Sequence, residues 1–201
     1  RAEMGYRKIN HHLGIYSFSG KPYVDVRMSF NSFTPNTMSK KTAGKLLDFY
    51  IDKLIKNPHL HDKVEFDVCI TSYDFTFEDK MKELIELGFD LKEIEEVKAS
   101  FRKITSDTVN EISIKIEDEI NKTLSLTRKR NEILESTLPT QNKIVKLIED
   151  CKEFGTFPFS IMARFGFFAS ILLKSLMRIG ISLTYFRLSS KTKQISIFSG
   201  A

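Results

Sequence analysis

Apolar and polar residues alternate along residues 21–35 in a way that an ordinary solvated surface rarely does. Val24, Val26, Met28 and Phe30 fall on one face of a period-two strand, and Tyr23, Asp25, Arg27, Ser29 and Asn31 fall on the other. The pattern predicts a strand over 22–33, preceded by another from about residue 13, with Ser19-Gly20 as the hairpin turn between them. A second alternation over 63–71 sets Val64, Phe66, Val68 and Ile70 against Lys63, Glu65, Asp67, Cys69 and Thr71, and predicts a third strand. Strands 22–33 and 63–73 are expected in one sheet. Its apolar face is covered by helices, and Asp25, Arg27, Glu65 and Asp67 gather on the other face.

The period then changes to that of helices. Leu46, Leu47, Tyr50, Ile51, Leu54 and Ile55 predict a helix over 42–56 that stops before Asn57-Pro58. Residues 78–87 predict another, stopped by Gly88. Ile94, Val97, Phe101 and Ile104 mark a further helix from Leu91, after which Ser106 or Asp107 can cap a new one with a narrow stripe, Val109, Ile112, Ile116, Ile120 and Leu124. Leu138-Pro139 ends that run.

Residues 142–153 predict a helix with Ile144, Leu147, Ile148 and Cys151 inward, and Gly155-Thr-Phe-Pro158 predicts a break before an apolar helix beginning near Phe159. Such a break either frees backbone N–H groups for an anion or polar substrate head, or is a corner with Phe157 and Phe159 packed inward. The apolar run 165–173 lies between Arg164 and Lys174, far short of the about 20 residues a bilayer needs, and predicts a buried helix rather than a membrane span. Residues 189–201 alternate again and read as a short strand or a linker. The fold class expected is α+β, mainly helical with a small antiparallel sheet near the N-terminus. It is read as a single domain over 1–201, with a sheet-containing part over 1–75 and a helical part over 76–201.

A chain of 201 residues that is 41% apolar can bury a core of its own. The net charge of +5 is mild, and its compact basic clusters, Lys40-Lys41 and Arg128-Lys-Arg130, carry no interleaved aromatics, so no nucleic-acid partner is expected. Cys69 and Cys151 sit far apart in apolar contexts, which predicts buried thiols in a reducing cytoplasm. His59-x-His61 lacks a second ligand pair and reads as a surface or capping feature, not a metal site. The absence of a signal peptide and of a starting methionine suggests a fragment of a cytoplasmic protein.

Asp25, Arg27, Ser29 and Asn31 place an acid, a guanidinium, a hydroxyl and an amide at every second position, a face that is either solvated or built for a ligand. The run Tyr-Val-Asp-Val-Arg-x-Ser-Phe-Asn-Ser-Phe-x-Pro that contains them resembles proteins related to phosphoenolpyruvate synthase and pyruvate phosphate dikinase. Three further blocks agree in order: the N-terminal residues 1–7, His61-Asp-Lys-Val-Glu-Phe-Asp67, and residues 149–159 continued by Ala163-Arg164-x-Gly166-Phe167. The resemblance covers most of residues 1–190. It is nearest to the central substrate-binding region of the subgroup that phosphorylates L-glutamine for capsular phosphoramidate.

That resemblance implies a three-part machine in which an ATP-grasp domain passes a phosphoryl group to a mobile histidine domain, which delivers it to an acceptor held elsewhere. No Gly-rich phosphate loop is present in this chain, and none of His11, His12, His59 and His61 stands in the Thr-x-His setting of the family's phosphohistidine. The chain is therefore expected to be the acceptor-binding domain, without a cofactor of its own. ATP and Mg belong to the full-length enzyme, and the partners are the acceptor, L-glutamine, and the ATP-grasp and phosphohistidine domains of the same polypeptide. Another small polar acceptor, or a purely structural module coupling those two domains, stays open.

Residue chemistry suggests roles. Arg27 can take the acceptor's carboxylate in a two-pronged hydrogen bond, and Asp25, Glu65 or Asp67 can hold its ammonium. Asn31 or Ser32 can orient the amide, with Tyr23 on the same face. Arg164 is a second candidate for the carboxylate or phosphoryl group, or else a helix residue paired to Glu149 or Asp150.

Overall fold

A computed structural model describes residues 2–8 and 14–181 of the chain. Strands β1 (Ile15–Phe18) and β2 (Lys21–Val24) pair antiparallel from Ile15 opposite Val24 to Phe18 opposite Lys21. Ser19 and Gly20 between them both have positive φ, 51° and 77°, as the tight turn favoured by strand twist requires. The hairpin was expected, but its residues are all exposed, so it adds nothing to the core.

The strand expected over 22–33 stops after Val24. Asp25 is extended and its carboxylate accepts from the Met28 N–H at 2.9 Å, which caps helix α1 (Val26–Asn31). A helix turns about 100° per residue, so the alternate residues 25, 27, 29 and 31 scatter around it instead of sharing a face. Phe30 enters the core, whereas Val24 and Val26 stay exposed.

The third strand is also absent. Residues 64–68 wind into a π-helical turn closed by the Cys69 N–H on the Val64 carbonyl at 2.8 Å. Among the described residues the sheet has two strands only. The fold class stands all the same: mainly helical α+β with a small antiparallel sheet near the N-terminus.

Helix α2 (Lys40–Lys56) starts at Ser39, whose hydroxyl accepts from the Thr42 N–H, and ends before Asn57-Pro58. Helix α3 (Phe77–Glu86) stops at Gly88, where φ is +85°. Their apolar faces close on Phe30, Phe33 and Val68 together with Val97 and Phe101 of helix α4 (Leu91–Glu135), all of them buried. At the centre Tyr50 donates to the Ile70 carbonyl at 3.2 Å, and burial pushes its phenol well above the ordinary value.

Two helices were expected where α4 runs unbroken for 45 residues, roughly 67 Å of helix. Asp107 does not cap: it lies one turn beyond Lys103 and accepts from it at 2.9 Å. Beyond Thr108 only Glu119 is buried on α4, so the C-terminal half leaves the core. The chain turns at Leu138-Pro139 and returns antiparallel through α5 (Thr140–Asp150), a π-helical turn at Cys151–Thr156, and α6 (Phe157–Arg178).

The break predicted at Gly155–Pro158 is absent as well. Proline lacks an N–H and its ring crowds the carbonyl four residues back, and the wider π-helical turn just before Pro158 absorbs both without ending the helix. Phe157 N–H is bonded to the Lys152 carbonyl, so no free helix N-terminus awaits an anion there. Phe157 and Phe159 are exposed, not packed inward, and Cys151 is exposed, whereas Cys69 is buried as expected.

Nor is α6 a buried helix. Its buried residues, Pro158, Phe165, Phe168 and Ser175, form one stripe, and Ser175 Oγ accepts from the Phe75 N–H at 3.3 Å. The continuous stretch Thr140–Arg178 is long and apolar enough, by length and composition, to cross a membrane. His11, His12 and residues 189–201 lie outside the described residues.

Helix α4 begins with a reciprocal box in which Asp90 accepts from the Glu93 N–H and Glu93 accepts from the Asp90 N–H. The buried Glu93 carboxylate also faces Lys45 at 2.5 Å and Lys41 at 3.0 Å. Hydrogen bonds from Lys45 and the Asp90 N–H hold its carboxyl down to about 2. A carboxyl depressed from an unfolded value of about 4.3 stabilises the fold above that value, and the contribution is lost as pH falls through the folded one. Glu93→Gln should lower the melting temperature at pH 7, and the gap to wild type should close as pH falls from about 5 to about 2. Melting curves across that range check it; a gap that persists at the acid end counts against the ion pairs.

Candidate functional site

Segments far apart in sequence meet where α6 rejoins the core. The Tyr6 hydroxyl donates to the Thr71 carbonyl, and Thr71 Oγ1 donates to the Glu65 carbonyl at 3.3 Å. Glu65 stands on the π-helical turn 64–68, with its Oε1 3.7 Å from Arg164 Nη2 on α6. The guanidinium lies 5.3 Å from the Phe33 ring centre and 5.8 Å from that of Phe167, and Phe167 meets Phe66 edge to face at 5.1 Å. Met4, Tyr6, Phe33, Glu65, Thr71 and Arg164 border a cavity of about 20 Å³, room for one water.

Arg164 is the chemically unusual member. Its side chain is 22% exposed, yet among the described residues its guanidinium makes no hydrogen bond, because 3.7 Å to Glu65 is an ion pair only. Burial pulls it below its ordinary value, against the opposing charge of Glu65, and it stays protonated nonetheless. Arg164 also borders a cleft of about 280 Å³ between Ala2–Met4, α4 and α6, with Lys115 and Ser160 on its walls.

Of the residues singled out in the sequence, the structure brings Glu65 and Arg164 together and disperses the others. Arg27 is exposed and pairs with Asp48 on α2 at 2.5 Å. Asp25 is occupied as the cap of α1. Tyr23 is exposed on the hairpin, edge to face with Phe18 at 5.3 Å. Asn31 accepts from Thr34 Oγ1 through its backbone carbonyl at 2.7 Å and its side chain at 3.3 Å. Ser32 is buried and donates to the Ser29 carbonyl at 2.6 Å, and Asp67 is exposed. The composite face of Asp25, Arg27, Glu65 and Asp67 therefore does not form, because the first strand ends at Val24, before Asp25, and residues 64–68 are a π-helical turn. Arg164 reaches Glu65 rather than Glu149 or Asp150.

Sequence reading missed Tyr6, Phe33, Thr71, Phe167 and Lys115 as site residues. Tyr6, Phe33 and Phe167 lie inside the blocks that carry the family resemblance, a signal that was available; Thr71 and Lys115 carry none. Another cavity, of about 440 Å³, lies elsewhere, between α2 and α3. Its Lys45 and Lys53 already face Glu93 and Glu83 of the protein itself and stand over the Phe89 and Phe49 rings, so it offers less to a ligand than its volume suggests. Among the described residues no group of three or more His, Cys, Asp or Glu is placed to hold a metal. His61 Nδ1 lies 3.2 Å from the Pro58 carbonyl, a local turn contact.

No family model, no curated protein and no solved structure matches this chain.

Two substitutions separate the exposed arginine from the buried one. Arg27→Lys should change stability by less than about 0.5 kcal/mol, since an exposed ion pair contributes little. Glu65→Ala should cost about 2 kcal/mol because it leaves the Arg164 charge without its carboxylate, whereas Arg164→Met, which removes the charge and keeps the volume, should cost less. Chemical denaturation of the three variants checks the order.

Proposed function

We propose that this chain holds the phosphoryl acceptor of a kinase of the phosphoenolpyruvate synthase and pyruvate phosphate dikinase type. The acceptor is L-glutamine, and the donor is a phosphohistidine on another domain. One observation carries the reading: the four blocks that resemble that family meet around the Glu65–Arg164 pair. Tyr6, Phe33, Glu65 and Arg164 contribute one side chain from each block.

The chemistry asked of such a domain is positioning. An amide oxygen is a weak nucleophile, so transfer needs the acceptor fixed in line with the donor phosphorus while charge developing on the phosphoryl oxygens is neutralised. A guanidinium with its N–H donors uncommitted is suited to a carboxylate or a phosphoryl group. The flanking Phe33 and Phe167 rings fix its plane and exclude water, which strengthens that contact. ATP and Mg act on the ATP-grasp domain, and this chain contributes the seat for the acceptor.

A second reading, a module coupling the ATP-grasp and histidine domains, draws on the exposed apolar residues Ile144, Val145 and Ile148 of α5 and Phe159 of α6. Calorimetric titration of the chain separates the two. L-glutamine should bind while ATP does not, and radiolabelled ATP should leave no phosphoprotein. Glutamine at a hundred times its dissociation constant should stabilise the fold by about 2.7 kcal/mol. A folded chain that binds no amino acid or other small polar acceptor sinks the first reading and leaves the second.

A further inference from the structure

The distal half of α4 packs antiparallel to a returning rod made of α5, the π-helical turn and the start of α6, which makes a single layer of two helices. Burial tells its two sides apart. The seam between the rods runs through Glu119, Thr123 and Ile133 on α4 and through Leu147, Asp150 and Pro158 on the return, all buried or half-buried. An α-helix turns about 100° per residue, so the residue after each seam position points to one side, and in an antiparallel pair that side is the same for both helices. Ile120, Leu124 and Leu134 on α4 and Ile148 and Phe159 on the return stand in such positions, each between 44% and 69% exposed. Ile114 precedes the half-buried Lys115 and falls on the opposite side.

Leu126 beside Gly155 and Lys129 over the Phe154 ring fix how far the rods slide along each other. Phe159 is therefore level with Ile120 and Leu124, and Ile148 with Leu134. These are two apolar patches about 18 Å apart along the arm. Between them Thr127 and Arg130, both exposed, follow Leu126 and Lys129 onto the same side. Cys151, which follows Asp150 and is exposed, lies at that middle too, whereas Cys69 is buried.

We propose that this side of the arm pairs with the same side of a second copy of the chain, closing a four-helix bundle. A two-fold axis through the polar middle sets the patch of Ile120, Leu124 and Phe159 in one copy on the patch of Leu134 and Ile148 in the other, and the reverse. An isologous interface requires that self-match. Helices about 8–10 Å apart give a face about 20 Å wide, and the patches with a turn beyond each give about 30 Å of length, so a pair buries about 1,200 Å². That is the lower end for a specific interface, about 1,200–2,000 Å². A bilayer fits this face less well, because Arg130 and Thr127 would enter it with the patches, whereas between two copies they lie in a wet centre. The pairing does not rest on the acceptor reading.

Sedimentation equilibrium of the chain and of Ile120→Glu, Ile148→Glu and Ile114→Glu tests the inference, with cross-linking through Cys151. All three isoleucines are exposed, so each variant should keep the wild-type circular dichroism. Wild type should dimerise at micromolar concentration, Ile120→Glu and Ile148→Glu should each weaken the dimer at least about tenfold, and Ile114→Glu should leave it within about twofold. A bismaleimide whose spacer spans packed helices, about 10 Å, should join two wild-type copies through Cys151 and lose most of that yield in Ile120→Glu. A chain that stays monomeric to its solubility limit overturns the pairing, and so does a dimer indifferent to Ile120→Glu and Ile148→Glu. If Ile114→Glu weakens the dimer as much as Ile120→Glu, the chosen side is wrong. A monomer that floats with phosphatidylcholine vesicles, and stops doing so in Ile148→Glu, gives the face to lipid instead.

Discussion

A mostly buried guanidinium must be held, and Arg164 is held only where α6 returns to the core, between the Phe33 and Phe167 rings and opposite Glu65. Arginine suits this place because its flat, weakly hydrated cation can lie among rings and still present N–H donors at its edge, which a lysine ammonium cannot do. Around it, Phe66 meets Phe167, Lys174 stands over Phe66 at 4.8 Å, and Ser175 accepts from the backbone of Phe75. These contacts fasten an arm whose remaining attachment is to α4. Their removal would leave α5 and α6 hanging on a single helix.

The arm is demanding because α4 is so long. Its N-terminal half is anchored by Ile94, Val97, Phe101 and Ile104, each at most 3% exposed, while its distal half relies on the returning helices. Lys129 over the Phe154 ring at 4.1 Å and Leu126 beside Gly155 mark the seam. Ion pairs three or four residues apart, such as Glu111–Lys115, Glu119–Lys122 and Arg128–Glu132, add only a few tenths of a kcal/mol each. Glu119 is the exception to an otherwise polar exterior: buried, with one oxygen on Lys122 and the other without a hydrogen-bond partner among the described residues.

Helices α2 and α3 were legible in the sequence because Asn57-Pro58 and Gly88 punctuate a clear helical period, and the hairpin because Ser19-Gly20 can turn so tightly. The strands were not, for a physical reason. Over five or six residues an alternation also fits one and a half helical turns, and the decision falls to caps: Asp25 closing on the Met28 N–H, and Cys69 reaching back five residues to Val64. Of the site, Glu65 and Arg164 were both named, Glu65 with the wrong neighbours because the sheet meant to carry it does not exist. The Arg27 face followed from the same false strand. Lys115 was invisible because it lies in a charged run where only the return of α6 distinguishes one lysine from the next.

The π-helical turn at Cys151–Thr156 connects these levels. An α-helix advances about 100° per residue, so a wider turn that inserts one extra residue rotates everything after it by about that angle. Had residues 151–156 stayed α-helical, the stripe of Phe165, Phe168 and Ser175 would face differently from the α5 residues that pack on α4, and Arg164 would point away from Glu65. Pro158 favours the wide turn, and Gly155 lets it pass Leu126, whose Cδ1 would lie 3.3 Å from an added Cβ. A feature that reads in the sequence as a helix breaker thus acts as a register device: it keeps one continuous arm while turning its cation toward the core.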